Sequence, residues 1–131
     1  MAELSRKARS LFEEANYLFI ATSNPDGSPQ VTPVWTDVED GRIRFNTAIG
    51  RVKERNLRRD PRIGLSITHR DDPWNKVDVR GRAVEFIEGE EADRHIDELS
   101  EKYTGRTPYP WHKPEERRVI VLVEAERVYE M

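Results

Sequence analysis

Six short segments with the alternation or apolar density of β-strands run along the 131 residues, and helical periodicity is confined to three stretches set between or before them. That count constrains the fold more than any other feature. The strand-like segments are residues 17–22, 29–38, 42–47, 63–68, 77–86 and 119–123, and several are separated by turn chemistry alone. Asn24-Pro25-Asp26-Gly27 predicts a hairpin turn, with proline presetting one dihedral and glycine permitting a positive one. Glu39-Asp40-Gly41 predicts a second turn, and Arg70-Asp71-Asp72-Pro73 a break before the strand at 77–86. Gly81, inside that strand pattern, marks a bulge or a close backbone approach.

Helical spacing joins Leu4, Ala8, Leu11, Phe12 and Ala15 in a first amphipathic helix. A short helix over 50–59 is stopped by Asp60-Pro61, and a third over 90–103 places Ala92, Ile96, Leu99 and Tyr103 on one stripe, ending before Gly105. His95 falls off that stripe and is expected to be solvated. So many strands with so few helices do not fit an alternating parallel sheet. They suit a mainly β fold with peripheral helices, a small antiparallel barrel of about six strands in a single domain over residues 1–131.

Charged residues and hydrophobic residues each make up 36% of the chain, the balance of a globular domain with one core. No apolar run approaches the ~20 residues of a membrane helix, and no signal peptide is visible, so a cytoplasmic location is expected. With no cysteine, disulfides, thiolate metal sites and cysteine nucleophiles are excluded. His69, His95 and His112 lack metal-ligand spacing, so no metal is expected. Hydrolase, nucleotide-phosphatase and dinucleotide-fold motifs are missing too.

Net charge is −3, yet Arg51, Lys53, Arg55, Arg58, Arg59 and Arg62 stand against only Glu54 and Asp60, a local +4 that leaves −7 for the remainder. A helix start exposes backbone N–H groups and carries partial positive charge, so Gly50-Arg51-Val52-Lys53 is a natural phosphate seat. A solvated cationic face is the plainer reading of the same residues. A nucleic-acid patch is a third, disfavoured by the acidic whole and the lack of interleaved aromatics.

Two blocks carry a resemblance. Asp26-Gly27-Ser28-Pro29-Gln30-Val31-Thr32-Pro33-Val34-Trp35 and Gly50-Arg51-Val52-Lys53-Glu54-Arg55-Asn56-Leu57-Arg58-Arg59-Asp60-Pro61-Arg62, at this separation, resemble the pyridoxamine 5'-phosphate oxidase-like superfamily. Within it they look most like the coenzyme F420-dependent flavin/deazaflavin oxidoreductases of the B type, and the likeness extends through Asp72-Pro73-Trp74-Asn75 and the closing strand. The resemblance implies a split β-barrel homodimer with two cofactor sites at the subunit interface. It implies that Arg51 and Lys53 hold the cofactor phosphate with Asn46 and Thr47, that Gln30, Val31, Thr32 and Pro33 line the ring, and that Trp74 reaches toward it from the other subunit. The carboxylate tail of F420 gives Arg55, Arg58 or Arg59 a role, Arg58 foremost.

The activity so implied is hydride transfer between deazaflavin and a small, electron-poor conjugated molecule. No residue stands out as catalytic. An FMN-dependent enzyme of the same fold, a flavin-binding module without turnover, and a small nucleic-acid-binding barrel are the rival readings; Trp35, Trp74 and Trp111 give dimerisation modest support.

Overall fold

The computed structural model describes residues 2–130. Its elements, in chain order, are α1 (Arg6–Glu13), β1 (Leu18–Ser23), β2 (Pro29–Val34), β3 (Thr36–Glu39), β4 (Arg42–Ala48), α2 (Val52–Arg59), β5 (Arg62–His69), β6 (Asp72–Glu88), α3 (Glu90–Thr104) and β7 (Arg118–Glu130). The strands form one antiparallel sheet in the order β2-β1-β5-β6-β7-β4-β3. Its two edge strands, β2 and β3, are consecutive in the chain, and only Trp35 stands between them. Val34 and Thr36 therefore lie within about 7 Å of each other. The sheet has to roll until its edges meet, which makes a β-barrel split along the β2/β3 seam.

Seven strands appear where the sequence pattern predicts about six, because the stretch 29–38 is broken at Trp35 into β2 and β3. The predicted break at Arg70-Asp71-Asp72-Pro73 shrinks to the turn at Arg70 and Asp71, and β6 begins at Asp72. Pro73 is tolerated at that exposed strand start, where the Trp74 N–H bonds to Asp72 Oδ1 at 3.1 Å. β6 and β7 form the longest ladder and bend at two register shifts, one at Arg80/Gly81 and one at Ala83/Glu85. Gly81 is the bulge its sequence context predicts: a Cβ there would sit 2.6 Å from Glu124 O.

Leu18 and Ile20 of β1, Ile43 and Phe45 of β4, Leu65 and Ile67 of β5 and Val121 and Val123 of β7 fill the barrel. Two helices close its ends. Ser5 caps α1 by accepting from the Ala8 N–H, and Leu11 and Phe12 join the core near the start of β1, where Asn16 Nδ2 donates to Leu11 O. α2 sits by the far end of β1, with Leu57 in the core and Asn56 Nδ2 donating to Thr22 Oγ1 at 3.0 Å. α3 lies against the outer face of the sheet, packing Ala92 on Ile120 and Leu122 of β7. Among the described residues no helix is long and apolar enough to cross a membrane.

Helix α3 also fastens the seam. Thr36 is fully buried; its N–H bonds to Tyr103 Oη at 3.1 Å, and its carbonyl accepts from Lys102 Nζ at 2.6 Å. Lys102 Nζ donates as well to Phe12 O, and Tyr103 Oη to Asn16 O. Burial pushes the Lys102 ammonium down to about 8 and the Tyr103 phenol up to about 12. Tyr103→Phe leaves the Thr36 N–H and the Asn16 carbonyl without this partner, and we expect it to lower the unfolding free energy by about 1–3 kcal/mol. Urea denaturation measures this; unchanged stability would contradict the seam's dependence on Tyr103.

Candidate functional site

An open cleft of about 240 Å³ runs beside the seam. One side is formed by the end of β2 and the corner, with Pro33, Val34 and Trp35; the other holds Asn46 and Thr47 of β4, Arg51 and Lys53 at the start of α2, and Arg118 at the start of β7. Register explains the meeting: β4 pairs with β7 so that Thr47 lies opposite Val119 and Ala48 opposite Arg118. Ile49 and Gly50 then turn the chain, Gly50 at φ +95°, and Arg51 becomes the N-cap of α2.

Charge is unevenly matched in this cleft. Glu116 contacts Arg118 Nη2 at 2.5 Å and Arg51 Nη2 at 3.3 Å, while Lys53 also lines the cleft. Three cations against one carboxylate leave a surplus of two positive charges. Burial, and after it the charges of Arg51 and Arg118, push the Lys53 ammonium below its ordinary value, which records the crowding. Glu54 takes the nearest backbone donor: its Oε1 accepts from the Gly50 N–H at 2.8 Å, and its Oε2 from Arg58 Nε. The N–H groups of Val52 and Lys53 have no acceptor within the helix and remain beside the cations.

Polar atoms on the wall point to a missing partner. Arg118 Nε, Thr47 Oγ1 and Asn46 Oδ1 are buried without a hydrogen bond, and their residues are 3%, 1% and 7% exposed. Buried polar groups are nearly always satisfied in folded proteins, so three orphans on one cleft fit a ligand that supplies their partners. A phosphate group, singly negative as a diester or close to doubly negative as a monoester, meets both the charge surplus and the donors. The rest of the wall is aromatic and aliphatic, with Tyr17, Trp35 and Tyr109 beside Pro33, Val34 and Ile96. Trp35 stacks on Tyr103 with centroids 5.4 Å apart and meets the edge of Tyr109, and Tyr17, half exposed, lies tilted against Tyr103 with centroids 5.8 Å apart.

Of the residues singled out from sequence, the cleft gathers Pro33, Asn46, Thr47, Arg51 and Lys53. Gln30 and Thr32 lie further along β2 and carry buried, unpartnered oxygens, while Val31 points outward and is 62% exposed. Trp74 is 73% exposed in the β5–β6 hairpin and does not line the cleft. Arg58 does not line it either: its guanidinium binds Glu54 and Glu88 and lies 4.0 Å over the Phe86 ring. Arg118, Tyr17, Trp35 and Tyr109 escaped the sequence reading as site residues. For Arg118 the available signal was a cation immediately before the apolar run 119–123, at the mouth of a buried strand.

His95 corrects an expectation. It is 1% exposed, because it follows Ala92 by three residues and precedes Leu99 by four, which puts it on the buried face of α3. Its Nδ1 lies 3.1 Å from Asn46 Nδ2 and its Nε2 3.2 Å from Asp37 Oδ2. Arg44 holds Asp37 from the other side through Nε and Nη2, at 2.8 and 2.7 Å. Among the described residues no group of three or more His, Asp or Glu side chains could hold a metal ion.

A family model for pyridoxamine 5'-phosphate oxidase matches residues 4–131. The chain belongs to the pyridoxamine 5'-phosphate oxidase family. Solved structures agree with this membership. An F420 reductase superposes with a TM-score of 0.84 at 27% identity, covering 98% of this chain and all of that one. A conserved hypothetical protein of Mycobacterium tuberculosis gives 0.75 at 28% identity over 98% of this chain and 84% of its own. A putative pyridoxamine 5'-phosphate oxidase of Listeria innocua shares the fold, with a TM-score of 0.68 at 17% identity over 93% of both chains. No curated protein matches the sequence.

Burial raises the Asp37 carboxyl, but hydrogen bonds from His95 and Arg44 outweigh it and hold the group at about 2, below its ordinary 3.8. Its contribution to stability is therefore present above pH 4 and lost as pH falls toward 2. Asp37→Asn should be less stable than wild type near neutrality, with the deficit narrowing between about pH 4 and pH 2 in thermal or urea denaturation. A deficit independent of pH across that window would contradict the pairing.

Proposed function

We propose that this member of the family is a cytoplasmic oxidoreductase that binds a phosphate-bearing deazaflavin of the F420 type and reduces a small conjugated substrate. The surplus of two positive charges among Arg51, Lys53, Arg118 and Glu116, in a cleft walled by three orphaned polar groups, carries the reading. The likeness to an F420 reductase supports the choice of cofactor.

Bound in the cleft, a deazaflavin supplies hydride transfer at its central ring carbon. The protein's part is binding, orientation and exclusion of water. Arg51, Lys53 and Arg118 hold the phosphate, and Thr47 Oγ1 adds a hydroxyl. Edge strand β2 offers its free side to the ring: Pro33 withholds a backbone donor there, while Gln30 and Thr32 bring oxygens with no partner in the fold. Trp35 and Tyr17 shield the ring's surroundings from water.

The assembly we propose is a homodimer. Phe19 and Val31 form an exposed apolar patch on β1 and β2, suited to burial against a second copy, which would bring its own Trp74 toward the cofactor. Arg58 is left out of the proposed site, since two carboxylates and an aromatic ring already hold it.

Fluorescence titration with F420, beside absorbance titration with FMN, tests the proposal. Wild type should saturate with F420. Arg51→Ala/Lys53→Ala should weaken binding about 100-fold or more, since each charge-assisted contact contributes about 1.5–3 kcal/mol. Saturation with FMN alone would move the assignment to an FMN enzyme on the same cations. Quenching of reduced F420 with no oxidation across a panel of conjugated acceptors would make the protein a carrier. No saturation with either cofactor, or an unchanged double variant, would overturn the site.

A further inference from the structure

We infer that Asp37 and His95 are positioning residues that lock Asn46 as a hydrogen-bond acceptor on the cleft wall, so that the site selects phosphate esters carrying a hydroxyl beside the phosphate. The inference rests on the phosphate reading above and adds a requirement to it.

The direction of every bond in the chain can be assigned. Asn46 Nδ2 lies 3.0 Å from Ala92 O, and a carbonyl oxygen only accepts, so the amide nitrogen must face it. A flipped amide would set two oxygens against each other. The second amide proton is then aimed at His95 Nδ1, 3.1 Å away, which must present a lone pair. The imidazole proton consequently sits on Nε2 and is donated to Asp37 Oδ2 at 3.2 Å. Asp37 cannot turn away, because Arg44 grips both of its oxygens. The chain Arg44, Asp37, His95, Asn46 thus has one consistent polarity, fixed by an arginine at one end and a backbone carbonyl at the other.

What remains of Asn46 is Oδ1, a buried acceptor without a partner in the fold. Asn46 was expected, from resemblance, to help hold phosphate; its donors are already spent inside the protein. A phosphate oxygen would repel Oδ1, whereas an O–H or N–H donor would satisfy it. The wall therefore reads as two adjoining functions: cations at Arg51, Lys53 and Arg118 for the anion, and a lone acceptor for a donor beside it.

Two phosphate monoesters with five-carbon chains separate these functions: D-ribitol 5-phosphate, rich in hydroxyls, and n-pentyl phosphate, which has none. By calorimetry, wild type should prefer ribitol 5-phosphate by about tenfold or more. Asn46→Leu should bring the ratio near one, and His95→Phe should lower the same ratio. Two-bond nitrogen–proton NMR of the wild-type protein reads the device without any substitution, and should show His95 with its proton on Nε2. Equal wild-type affinities, a preference that survives Asn46→Leu, or a proton on His95 Nδ1 would overturn the inference and leave the phosphate site standing. Failure of both esters to bind wild type would remove the phosphate reading itself, and the inference with it.

Discussion

The fold hangs on one covalent fact: the two edges of its sheet are joined by a single residue. Trp35 links β2 to β3, so the seven strands cannot lie open, and the barrel closes onto a seam with no ladder across it. Such a seam leaves backbone polar groups without strand partners, a liability that side chains of α3 meet by bonding both the N–H and the carbonyl of Thr36. The same opening is what makes room for a cleft. Structure and site are two consequences of the one-residue corner.

Electrostatics then decides what the cleft can hold. Arg51 and Lys53 come from the start of α2, Arg118 from the far end of the sequence, and the β4–β7 register sets them together. Glu116 relieves part of the repulsion, and Glu54 satisfies Gly50 and Arg58 instead of the cleft. The remaining positive charge is held in place with buried donors that have nothing to bond, an arrangement preorganised for an anion.

Much of this was readable in the residues. Alternation and turn chemistry locate the strands and hairpins, and Gly81 inside a strand pattern marks the bulge where Glu124 O leaves no room for a Cβ. The basic island marked Arg51 and Lys53 because local density and a helix start coincide in sequence. Arg118 could not be found that way, since it joins them only through strand pairing. His95 was misread because a stripe drawn through apolar residues alone was too narrow to show that α3 also buries a polar chain on that face. For Arg58, charge counts along a helix do not show that Glu88 and Phe86, from a distant strand, engage its guanidinium.

The account stands on an anion docking among Arg51, Lys53 and Arg118 beside the seam. A crystal structure of the protein grown with an F420-type deazaflavin tests this most directly. It should show the cofactor phosphate within hydrogen-bond distance of all three side chains and the ring along β2. Phosphate density elsewhere, with these cations turned to solvent, would contradict it.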